Sequence, residues 1–85
     1  MHTIIISRSA AKDYGKVPNS QIPKINRTID GLASNPRPSG YKKLKNRDAY
    51  RVRVGDYRII YEINDEQLII LVIRIRHRKE VYRDF

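Results

Sequence analysis

The chain has 85 residues, no cysteine, two histidines, and 18 lysines and arginines against 9 acidic residues, for a formal charge of +9. That length predicts one small domain with a thin core, burying roughly 60–65% of its unfolded surface. The composition excludes a disulfide framework, a thiolate zinc site and a metal cage built on His2 and His77 alone, so no cofactor is expected, while the charge predicts a polyanionic partner.

In chain order, residues 2–6 are β-branched and predict a strand; the apolar run at 4–6 is too short for a signal peptide or a membrane span, so a soluble, cytoplasmic protein is expected. Ser7 or Ser9 can cap a short helix over 8–16, which Gly15 and Pro18 end. A longer helix over 20–34 follows, with Ile22, Ile25, Ile29 and Leu32 spaced by three and four along one stripe, and with Pro23 tolerable only in its first turn. The breaker-rich segment 35–40 leads into Lys42, Lys43, Lys45 and Arg47, a basic loop or ragged strand. No amphipathic helix carries the basic residues, which argues against a membrane surface as the partner.

From Tyr50 the apolar period changes to two. Tyr50, Val52 and Val54 alternate with Arg51 and Arg53, Gly55-Asp56 offers a two-residue turn, and Tyr57, Ile59, Tyr61 and Ile63 continue the apolar set. The hairpin sets Arg53 opposite Arg58, with Arg51 two residues along the same face. Like charges in direct cross-strand pairs destabilise a sheet by roughly 0.2–1 kcal/mol. Solvation with splayed side chains is one reading of this face; an anion seated among the arginines is the other. A third strand over 68–76 follows. If Ile69, Leu71, Ile73 and Ile75 join the core, the connecting loop holds an odd number of residues, plausibly 64–66, and Arg74 and Arg76 share the face of Arg53 and Arg58. An even loop without a bulge would bury both arginines, at a large desolvation cost, so the odd register is expected. His77 and Tyr82 then lie where the chain leaves the sheet and can fold over the same surface. The expected class is α+β: an N-terminal strand, a two-helix hairpin, then an antiparallel sheet of three to four strands, all within residues 1–85.

Such a face suits RNA cleavage without a metal. The 2′-hydroxyl attacks its own phosphorus, and guanidinium groups gripping phosphate oxygens stabilise the developing charge. They are poor bases, so His77 is the candidate proton acceptor, or else a plain surface residue; Tyr82 is a candidate donor or stacking group, or else a lid on the core. No Gly-rich phosphate loop, carboxylate pair or metal-spaced acidic cluster is present.

The string from Tyr50 through Arg51, Val52, Arg53, Val54, Gly55, Asp56, Tyr57 and Arg58 to Glu62, followed by Arg76-His77-Arg78-Lys79-Glu80-Val81-Tyr82-Arg83, resembles the RelE/ParE toxin superfamily, and the RelE type in particular. The likeness extends over nearly the whole chain, including Asn35-Pro36 and Lys43-Leu44-Lys45. It implies a toxin of a type II toxin-antitoxin system that enters the ribosomal A site and cuts mRNA, held inactive by a RelB-like antitoxin. Arg58 and Arg76 would stabilise the scissile phosphate, Tyr82 would orient or stack on the RNA, and Arg53 is a further candidate catalytic residue. Lys42, Lys43, Lys45, Arg51, Arg74 and Arg78 would hold RNA. Arg51 and Arg53 stand where RelE-type toxins can carry lysines, and an arginine is a far weaker general base than a lysine of lowered pKa, so His77 is the candidate replacement. A ParE-like inhibitor of DNA gyrase and a plain RNA-binding module are the competing readings. The second lacks the paired aromatics of common single-strand binders.

Overall fold

The computed structural model describes residues 1–79. Its elements are β1 (Thr3–Ile6), α1 (Arg8–Tyr14), a 3-10 turn (Asn19–Gln21), α2 (Ile22–Ser34), β2 (Lys42–Lys43), β3 (Tyr50–Val54), β4 (Tyr57–Asn64) and β5 (Ile69–His77). They form the expected α+β arrangement of a strand, two helices and four antiparallel strands, with spatial order β1-β5-β4-β3-β2. One feature has no local signal: β1 pairs in parallel with β5, Ile4 beside Ile70 and Ile6 beside Val72, although the two strands are separated by most of the chain.

Local chemistry sets the helix ends. The Ser7 hydroxyl oxygen accepts the Ala10 N–H at 3.1 Å and caps α1. Pro23 sits in the first turn of α2, where its missing N–H breaks no helical bond. Ile25, Ile29 and Leu32 turn inward from α2 and meet Val52, Val54, Ile59, Tyr61, Ile70, Val72 and Ile75 on one face of the sheet. The helices therefore cover that face, and the arginines stand on the other, beside Ile60.

The hairpin between β3 and β4 has the register read from its alternation: Val54 opposite Tyr57, Arg53 opposite Arg58, Val52 opposite Ile59 and Tyr50 opposite Tyr61. Gly55 takes a φ of +57°, which the first position of a tight two-residue turn demands and which glycine adopts without strain.

The second hairpin corrects the expected odd loop. Asn64 pairs with Ile69, so residues 65–68 form an even, four-residue loop, closed by the Asn64 side chain accepting the Gln67 N–H at 2.9 Å. Ile70 and Val72 consequently take the core positions, both fully buried, and Ile69 and Leu71 face outward. The phase is then restored by a β-bulge: Tyr61 pairs with Val72 but Ile60 with Arg74, leaving Ile73 as the extra residue. Ile75 returns to the core and Arg74 and Arg76 stay outside. The same desolvation penalty that argued for an odd loop is avoided by an extra residue within the strand.

At the far end of the core, the Tyr61 hydroxyl donates to the Pro36 carbonyl at 2.7 Å, fastening the segment after α2 to the sheet. Burial pushes this phenol up from 10.0 to about 12. A phenol whose folded pKa is raised contributes stability that is complete below the unfolded value and is lost as pH rises through the folded one. Alkaline destabilisation between pH 10.0 and about 12 is therefore expected, and Tyr61→Phe should remove this contribution to it in pH-dependent melts.

Candidate functional site

The outward face of the sheet is built by alternation. Arg53 on β3 pairs with Arg58 on β4, and Arg58 pairs with Arg76 on β5, so three guanidinium-bearing residues stand side by side across three strands. Directly opposed residues on antiparallel strands have Cα atoms about 4.5–5.5 Å apart, which places the row within about 11 Å from first to third. In the next row Lys42 pairs with Arg51, and Arg51 with Ile60.

Arg58, the middle member, is only 8% exposed, and its Nε has no hydrogen-bond partner among the described residues. A buried donor left unmatched costs about 1–3 kcal/mol, more when charged, and the like-charged neighbours on either side add to the cost. An anion reaching this face would match the Arg58 donor.

Two depressions flank the row. One, about 450 Å³, is lined by Arg53, Arg58, Arg78 and Lys79, with Gly55 and Asp56 at its end. The other, about 330 Å³, is lined by Lys42, Arg51 and Arg53 with Ser39 and Gly40. Arg53 is common to both. The second is shaped by a turn in which the Tyr41 N–H donates to the Pro38 carbonyl at 3.0 Å and Gly40 takes a φ of +87°, the left-handed third position of a type II turn. A chain of phosphates lying across the strands would meet cations in both grooves.

Of the residues anticipated for this face, Arg51, Arg53, Arg58, Arg76, Arg78 and Lys42 come together on it. His77 does not. β5 continues through His77, so alternation places it opposite Tyr57 on the helix side of the sheet. The two rings meet edge-on with centroids 5.3 Å apart, and His77 shares a depression of about 70 Å³ with Lys16 and Val17. Its expected place at the rim of the arginines is therefore corrected: the strand runs one residue further than the pattern suggested. Lys43 pairs with Tyr50, a residue of the helix-side set, and Lys45 lies in the exposed turn after β2. Neither joins the row. Tyr82 lies outside the described residues.

Arg74 faces outward and is already paired within the chain. Its Nε and Nη2 donate to the two carboxylate oxygens of Asp13, at 3.0 and 3.2 Å. Sequence reasoning missed Asp13 although a signal was present: Ala10, Asp13 and Val17 lie three and four apart, and all three are buried on one side of the N-terminal helical segment. The acidic residues at the other end of the sheet also have a partner set that was not anticipated. Asp65 accepts from Arg37 at 2.9 Å and contacts His2 Nε2 at 3.1 Å, and these hydrogen bonds, that from Arg37 foremost, hold its carboxyl below the ordinary value.

Comparison with known proteins agrees with this architecture. Residues 4–82 match the family described as ParE toxin of type II toxin-antitoxin system, parDE. Toxin RelE3 of Methanocaldococcus jannaschii is 31% identical over 87 residues, covering 96% of this chain and 97% of that protein. The mRNA interferase toxin RelE of Escherichia coli is 25% identical over 79 residues, covering 88% and 83%. Among solved structures, the archaeal RelE–RelB complex from Pyrococcus horikoshii superposes with a TM-score of 0.80 at 26% identity, covering 91% of this chain and 94% of that one.

Proposed function

From the premise that this chain belongs to the ParE toxin family of type II toxin-antitoxin systems, within the RelE/ParE superfamily, we propose that it is a ribosome-dependent mRNA endoribonuclease. The observation that carries the proposal is the Arg53–Arg58–Arg76 row with its buried, unmatched centre. In this reading the scissile phosphate sits over Arg58. Arg53 and Arg76 grip its oxygens from either side, and charge developing on the phosphorane as the 2′-hydroxyl attacks is met by preorganised guanidinium groups. Arg51, Lys42 and Arg78 hold flanking phosphates in the two grooves, and Tyr82 orients the RNA.

His77 does not lie on this face, and arginine is a poor proton acceptor. The face is thus suited to charge stabilisation and alignment rather than proton abstraction, which accords with chemistry completed on a surface that holds the message in line, the ribosomal A site. The partner that restrains it is a RelB-like antitoxin, in keeping with the RelE–RelB complex of similar fold. An acidic antitoxin segment would satisfy the same arginines. No helix of the described residues is long and apolar enough to cross a membrane, and the cytoplasm is the proposed compartment.

In a defined translation system, the full chain is expected to cut message within A-site codons. Arg76→Ala should lower cleavage by about 100-fold or more, the scale of losing one preorganised donor. His77→Ala should fall far short of the roughly 100-fold loss that removing a general base brings. A second reading, gyrase inhibition, draws on the description of the matched family. Intact message together with inhibited gyrase supercoiling would decide for it.

A further inference from the structure

Resting on the phosphate-site reading, we propose that Ser7 and Asp13 are positioning residues that clamp the β5 bulge and so hold Arg76 in line with Arg58 and Arg53. The need for a clamp follows from the topology. β1 ends at Ile6, opposite Val72, whereas β5 runs on to His77. Immediately past Val72 comes the bulged Ile73, so the sheet loses its parallel neighbour where its own ladder is disrupted. A strand with a bulge and a bare edge is prone to slip. A slip of one residue here would turn Ile75 outward and drive Arg76 toward the helix side.

α1 and its cap take over the edge that β1 leaves. The Ser7 N–H donates to the Val72 carbonyl at 2.9 Å, and the Ser7 hydroxyl donates to the Ile73 carbonyl at 3.1 Å. On the other side of the bulge, Asp13 Oδ2 accepts the Ile75 N–H at 2.9 Å. The Ser7 backbone thus holds the residue before the bulge, the Ser7 hydroxyl holds the extra residue itself, and the Asp13 side chain holds the strand beyond it. Asp13 is 5% exposed, and a buried carboxylate needs a cation and hydrogen bonds to persist. Both come from β5 itself, from Arg74 and the N–H of Ile75. Arg74 is the first residue after the bulge, so its bidentate grip on Asp13 is available only in the phase that also sets Arg76 beside Arg58. Ser7 couples the clamp to the helix, because the oxygen that donates to Ile73 also accepts the Ala10 N–H.

The test uses the full chain and reads register and activity separately. NMR cross-strand NOEs between residues 58 and 76 and between 59 and 75 report the phase beyond the bulge, and those between 62 and 71 report the phase before it. Asp13→Ala is expected to abolish the first set and keep the second, with cleavage falling about 100-fold, the scale of a 1 Å misplacement. Asp13→Asn, whose amide oxygen still accepts from Ile75, should retain the NOEs. In an Arg76→Ala background, Asp13→Ala should cost no further activity. Should Asp13→Ala fail to fold, Ser7→Asp replaces it: aspartate still caps α1 but offers no donor to the Ile73 carbonyl, and loss of the 58–76 NOEs is again expected. Retained NOEs in the folded variant, or an undiminished Asp13→Ala effect without Arg76, would overturn the clamp. A broken register accompanied by full activity of Arg76→Ala would instead overturn the phosphate role of Arg76.

Discussion

Arg58→Met is expected to lose cleavage by about 100- to 1000-fold while the protein becomes more stable. The two effects have one cause. Arg58 is buried between Arg53 and Arg76, and its Nε donates to nothing among the described residues, so a desolvated guanidinium carries a donor unmatched among them. Methionine keeps an unbranched stem of similar volume, removes the unmatched donor, worth about 1–3 kcal/mol, and relieves two like-charge pairs of roughly 0.2–1 kcal/mol each. A net gain of about 1–2 kcal/mol is expected after imperfect repacking, which raises Tm by about 4–8 °C per kcal/mol in a domain of this size. The loss of activity is the loss of a preorganised charge at the phosphate. Parallel thermal melts and cleavage assays check both halves. A melting temperature that falls together with activity would show that Arg58 is held by the fold rather than kept for a ligand.

The second large effect concerns the far end of the sheet. Tyr61 is fully buried, its ring lies 6.0 Å from that of Tyr50, and its hydroxyl holds the Pro36 carbonyl. Tyr61→Ala should cost about 3–5 kcal/mol, the range for removing a core aromatic ring. That is most of the stability of a chain near the lower end of the usual 5–15 kcal/mol. Tyr61→Phe should cost only about 1–3 kcal/mol, since it leaves the ring and forfeits one hydrogen bond. Denaturant unfolding separates them. Equal losses would place the energy in the Pro36 tie rather than in the ring, and would make the segment leading to Gly40 and Lys42 the weak point of the fold.

Legibility tracked the range of the interactions. α2 was readable because Ile25, Ile29 and Leu32 repeat within one helix, and the Ser7 cap of α1 and the first-turn Pro23 of α2 act on neighbouring residues. The β3–β4 hairpin was readable because a two-residue turn leaves one register, so Arg53 opposite Arg58 followed directly. The β4–β5 hairpin was not, because an odd loop and an even loop with a bulge satisfy the same burial constraint at Arg74 and Arg76. His77 was misplaced by a strand end one residue too early, and strand ends carry little pattern. The spacing of Ala10, Asp13 and Val17 hinted that Asp13 is buried, but its role comes from a partner 61 residues away, which no local pattern names.

The sequence by itself thus determined the class of fold, the basic character of one face and the pairing at its heart, because alternation, a tight turn and net charge act over a few residues. Only the tertiary structure decided how the other basic residues stand around that pairing. Arg76 completes the row through the bulge, Arg74 is paired with Asp13, and His77 is turned to the other side. Those outcomes depend on β5 meeting the first residues of the chain, and contact between such distant segments is settled by burial over the whole domain.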